Sequence, residues 1–107
     1  MIYGLDSSTL KKIISVVSGF PEIEQAILYG SRAMGTEREG SDIDLCIKGR
    51  ASAELNLGQL LSELEDLNLP YFFDISDYHQ LNNTDLLAHI DGFGKVVYQS
   101  NVQAHQM

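Results

Sequence analysis

The chain has 107 residues, 15 of them acidic and 7 basic, and a formal net charge of −8. That length fits one domain with its own core, and the negative balance argues against tight nucleic-acid binding by this chain alone, because duplex affinity rests on neutralising phosphates with Lys and Arg. Hydrophobic residues make up 44%, ordinary for a globular protein, and no run approaches the ~20 apolar residues of a membrane span.

The acidity suits a basic partner surface, or serves only solubility. The stretch Met1-Ile2-Tyr3-Gly4-Leu5-Asp6 lacks the basic and apolar regions of a signal peptide. The one cysteine, Cys46, has no internal disulfide partner, so a cytoplasmic location is expected, with Cys46 as a buried strand residue.

In chain order, Asp6-Ser7-Ser8 offers capping chemistry, and Leu10, Ile13, Ile14 and Val17 recur at helical spacing. The spacing predicts a helix from Ser7 to Ser18, stopped by Gly19 and Pro21. Glu22 to Tyr29 reads as a strand. Gly30 then opens a helical turn, Ser31 to Met34, whose free N–H groups and glycine corner allow a phosphate to approach the backbone, with the Ser31 hydroxyl adding a hydrogen bond. Arg32 offers a guanidinium fork to a phosphate, or is a plain surface arginine. Residues 35–40 are polar and charged, a mobile lip over that corner.

Ser41 to Lys48 reads as the second strand. Asp42 and Asp44 then share one face while Ile43, Leu45 and Ile47 share the other. Two carboxylates interrupting an apolar strand beside a glycine corner suit a hard cation such as Mg²⁺, which takes oxygen ligands. Lys48-Gly49-Arg50 is the densest basic patch, open to phosphate or RNA or simply solvated. Asn56 to Leu67 reads as the longest helix, with a stripe of Leu57, Leu60, Leu61, Leu64 and Leu67. Tyr71 to Ser76 reads as a third strand, and Asp74 within it needs exposure or a partner. Asn82-Asn83-Thr84-Asp85 caps a further helix that Gly92 closes, and Phe93 to Tyr98 forms a terminal strand. The polar tail from Ser100 is expected to fray. His79, His89 and His105 show no ligand spacing and read as surface residues.

Gly30-Ser31, then Asp42-x-Asp44 after ten residues, resembles the signature of the polymerase-beta-like nucleotidyltransferases. The fuller strings Gly30-Ser31-Arg32-Ala33-x-Gly35 and Ser41-Asp42-Ile43-Asp44-Leu45 resemble the minimal members, similar to the antitoxins of HEPN toxin pairs. The resemblance implies a third carboxylate on a neighbouring strand: Asp74, with Asp77 as fallback. It implies an α/β (α+β) core, a mixed sheet with helices on one face and the carboxylates on the open face. By that resemblance Asp42, Asp44 and Asp74 are catalytic and hold Mg²⁺, two ions in all, while Gly30, Ser31 and Arg32 bind the triphosphate of ATP.

The expected activity is transfer of a nucleoside monophosphate to a hydroxyl, for antitoxin members a tyrosine of a helical HEPN partner. Two alternatives stay open. One is an antitoxin that neutralises a HEPN ribonuclease by binding alone, and the other is a transferase acting on a small molecule.

Overall fold

The computed structural model describes residues 2–50 and 54–100. The expected tail beyond Ser100, with His105, lies outside them.

Helix α1 (Ser7–Ser18) starts where Asp6 accepts a hydrogen bond from the Thr9 N–H at 2.9 Å and ends at Gly19. Its spacing of apolar side chains brings Ile13 and Val17 onto the sheet, both buried. Strand β1 (Ile23–Tyr29) follows, then the single turn α2 (Ser31–Met34) and strand β2 (Ile43–Gly49). Helix α3 (Leu57–Glu65) is shorter than the leucine stripe suggests, because the Asn56 side chain caps its start and Asp66 ends it. At 9 residues it is not the longest helix; α1 has 12. Strand β3 (Phe73–Asp77) leads into a 3-10 turn (Tyr78–Gln80), unforeseen from sequence, which Asp77 caps by accepting from the His79 N–H. Helix α4 (Thr84–Phe93) runs through Gly92, the expected stop, and strand β4 (Lys95–Gln99) closes the chain of elements.

The sheet order is β3-β2-β1-β4. The short link between β1 and β2 makes that pair antiparallel, the crossover through α3 makes β2 and β3 parallel, and β4 returns antiparallel to β1. This is the mixed sheet expected. Leu28, Ile43, Leu45 and Ile47 point to one face, under α1 and α3, where they meet Leu60 and Leu64 in one buried cluster. Each such side chain stabilises the fold by about 1.5–3 kcal/mol through burial.

The other face is not fully open, which refines the expectation of helices on one face. Ile90 of α4 packs on Ile27, Tyr29 and Cys46 in a second, smaller cluster. Cys46 is fully buried there, and burial pushes its thiol up to about 11, so it acts as an apolar residue. Gly94 allows the close approach: a Cβ there would overlap the Ile90 carbonyl oxygen and lie 2.6 Å from Ile27 Cγ2. The helix therefore covers the β1 side of this face. Asp44 and Asp74, on the β2–β3 side, share the face with it.

Ser100, expected at the start of the fraying tail, is buried and donates its N–H to the Glu24 carbonyl at 2.8 Å. The basic patch is likewise engaged: Lys48 Nζ lies 4.5 Å from the Tyr78 ring centroid, and Arg50 donates to the Pro21 carbonyl at 2.8 Å and to Ser100 Oγ.

Candidate active site

The site is built where β1 ends, β2 begins and β3 runs alongside. Asp44 is the direct cross-strand partner of Tyr29 and the direct parallel partner of Asp74. Parallel neighbours lie about 4.8 Å apart, and direct partners point to one face, so the two carboxylates stand side by side. Asp42 is exposed and sits just outside β2, one residue before its start. Asp77, the fallback, is occupied in capping the 3-10 turn. Of the two candidates for a third carboxylate, only Asp74 is in register with Asp44.

The electrostatics follow from this crowding. Burial, then the charges of Asp74 and Asp42, raise the Asp44 carboxyl to about 6, against the opposing pull of Arg32. Tyr29 is raised as well, first by burial and then by Asp74 and Asp44. Its hydroxyl lies 3.0 Å from Ser76 Oγ, a hydrogen bond that works the other way. A hard cation would relieve the repulsion, and carboxylate oxygens are the donors it takes. The donor chemistry thus fits Mg²⁺. A closed set is not formed, however: among the described residues, no three His, Cys, Asp or Glu side chains are gathered closely enough to hold one metal ion.

Gly30 makes the corner possible. Its φ of +77° and ψ of −153° lie in a region that residues with a Cβ avoid, and a Cβ there would overlap Asp44 Oδ2. The corner and the carboxylate are therefore in direct contact. Ser31 begins α2 immediately beside them.

Arg32 has a different place from the one its chemistry suggested. It is 3% exposed, and its guanidinium donates to the Tyr3 carbonyl at 3.0 Å and to the Ser41 carbonyl at 2.9 and 3.3 Å, with Tyr71 stacked 4.8 Å away. It ties the N-terminal turn and the start of β2 to α2, and it is not a surface arginine. Arg32→Ala is expected to lower unfolding free energy in urea by about 2 kcal/mol, since it strands two carbonyl oxygens in a partly buried setting. Arg32→Lys should recover little of it, because an ammonium cannot span both acceptors and stack as well.

A cavity of about 360 Å³ lies beside Arg32, lined by Gly4, Glu37, Arg38 and Tyr71 among others, and none of the three aspartates lines it. The candidate site is thus on the face of the sheet, and the cavity belongs to the 35–40 connection.

Two neighbours of the carboxylates escaped the sequence reading. Tyr29 was legible in principle, since alternation along β1 from buried Leu28 places it on the Asp44 face. His89 was not. It comes from α4, far along the chain, and accepts the Gly30 N–H on Nε2 at 3.0 Å.

The comparisons with known proteins agree with this architecture. No curated protein sequence matches the chain. A chain of a toxin–antitoxin complex crystallised with AMP-PNP superposes with a TM-score of 0.68 at 24% identity, over 86% of this chain and 74% of that one. A chain of the MntA–HepT toxin–antitoxin complex gives 0.64 at 20%, over 89% and 74%. The complex of tri-AMPylated Shewanella oneidensis HEPN toxin with its MNT antitoxin also gives 0.64 at 20%, over 90% and 74%. These likenesses establish a shared fold. The sequence model for polymerase beta nucleotidyltransferases matches residues 11–103, nearly the whole of the structure described above, and the chain belongs to that family.

Proposed function

We propose that this protein transfers AMP from ATP to a tyrosine hydroxyl of a HEPN-domain partner and so acts as an antitoxin. The observation that carries the reading is the in-register pair Asp44 and Asp74 against the Gly30 corner, with Asp42 one step away. The family supplies the reaction type. A fold neighbour from a toxin–antitoxin complex crystallised with AMP-PNP, and another from a complex with an AMPylated HEPN toxin, support the donor and the acceptor.

Asp42, Asp44 and Asp74 would hold Mg²⁺, which supplies charge neutralisation at the phosphates. Gly30 and Ser31 orient the triphosphate tail. Asp74, exposed at the outer side of the pair, takes the proton from the acceptor hydroxyl. That oxygen bonds to the α-phosphorus, the bond from the α-phosphorus to the β-phosphate oxygen breaks, and pyrophosphate leaves. Arg32 serves by holding the Ser41 carbonyl and so the approach to Asp42, without touching the nucleotide.

The test is to incubate the chain and a HEPN-domain partner with α-labelled ATP and Mg²⁺. Label on the partner, with mass gained in steps of one AMP, is the expected result; an unlabelled partner overturns the proposal. One observation favours a second reading, neutralisation by binding alone: the three carboxylates are not gathered as a ready metal site. In that case toxicity is suppressed equally well by an Asp42→Asn/Asp44→Asn double variant.

A further inference from the structure

His89 plays no part in the motif or in the reaction as written above, yet it touches the corner on which both depend. Its Nε2 accepts the Gly30 N–H at 3.0 Å. Tyr29 meets the ring edge-on, with centroids 6.2 Å apart, and the Phe93 ring lies 5.6 Å away. Gly30 in turn abuts Asp44 Oδ2. A phosphate group held through a cation at Asp44 would therefore lie near the Gly30 corner.

An N–H donor places its acceptor oxygen about 2.9 Å from the nitrogen. That position is where His89 Nε2 already sits. The two acceptors exclude each other. We propose that His89 is an internal competitor for the phosphate: at the Gly30 N–H, the Nε2 of His89 and a phosphate oxygen of the nucleotide replace one another, so that binding sets the imidazole free of the corner. The inference rests on the reading of Asp44 and Gly30 as the nucleotide's place.

The surroundings allow such an exchange. His89 is only partly buried, so the ring has room to turn outward. Helix α4 is anchored by other groups: Ile90 is 2% exposed, and Asp91 accepts from the Tyr78 hydroxyl at 3.0 Å. The ring can leave without lifting the helix. His89 is on this account a positioning residue that sets how readily the corner accepts a triphosphate.

The experiment uses the full chain and AMP-PNP with Mg²⁺. A nitrogen–nitrogen coupling across the Gly30 N–H···Nε2 bond is measured by NMR, and affinity by calorimetry. The coupling should be present in the protein alone and disappear at saturating AMP-PNP. His89→Ala should bind AMP-PNP about two- to tenfold more tightly, the scale of one net hydrogen bond. His89→Gln, which restores an acceptor, should return affinity toward that of the parent. A coupling that persists at saturation, while the Ser31 and Asp44 amides shift, overturns the exchange and leaves the nucleotide site standing. So does a His89→Ala variant that binds equally or less tightly. If AMP-PNP moves neither Ser31 nor Asp44, the nucleotide site itself fails, and the exchange fails with it.

Discussion

Replacing Asp44 with asparagine is expected to cut AMP transfer on the order of 10³-fold, the several kcal/mol that charge neutralisation at the phosphates supplies, while leaving the fold at least as stable. The second half of that expectation separates a catalytic loss from a folding loss. The Asp44 carboxyl is raised to about 6 from an ordinary 3.8 by burial and by its acidic neighbours. Between those values the unfolded chain has released this proton and the folded chain has kept it. The folded state then binds more protons, so stability falls as pH rises through this window, and the full penalty is present above pH 6. Because the carboxyl is partly within reach of water, the penalty is about 1 kcal/mol after allowing for solvent screening. Asp44→Asn should remove this slope and gain about that much at pH 7, read by urea unfolding across the pH range. Mg²⁺ should raise the melting temperature of the parent and not that of the variant, since only the parent gains a bound cation on folding. A variant that retains transfer, or whose pH dependence matches the parent's, contradicts the account.

Gly30→Ala should destabilise the protein by about 3 kcal/mol and abolish nucleotide binding. Two separate causes add. The backbone at residue 30 lies where a residue with a Cβ is strained by about 1–3 kcal/mol, and the new methyl would overlap Asp44 Oδ2. A double-variant cycle divides them. In an Asp44→Ala background the overlap is gone, so the cost of Gly30→Ala should shrink to the backbone part alone. An undiminished cost there would mean that the corner and the carboxylate are not in contact.

The elements of this fold were legible because local signals and burial agree. The Asp6 cap, the apolar spacing of Ile13 and Val17 and the Gly19 stop all point to one helix, and the helix spans the residues they mark. The place of Asp44 on the face opposite Leu45 was legible because a strand has a period of two, whereas Asp42, read as part of the same strand, falls just before β2. What failed had a common cause: it depended on contacts distant in sequence. Gly92 reads as a stop in isolation, yet α4 continues because Ile90 is held on Ile27, Tyr29 and Cys46 and the tight approach falls at Gly94. The alternative of Arg32 as a plain surface residue failed because its own neighbours say nothing of Tyr3, Ser41 and Tyr71. Ser100 looks like tail until β4 pairs with β1 and carries it to the Glu24 carbonyl. His89 reads as surface because nothing in Ala88-His89-Ile90 announces a glycine amide 59 residues earlier.

The parallel pairing of β2 with β3 has a consequence for the seven-residue connection that runs from Asp66 through Phe72. Successive side chains of β3 alternate between the aqueous and the oily side. Losing or gaining a single amino acid in that connection is expected to leave Asp74 opposite Asp44, because a slip of one would carry Phe73 and Ile75 off the core cluster and turn the acid into it, whereas a loop absorbs the change in length at little cost. The spacer is free to drift while the oily side of β3 keeps the acid in place.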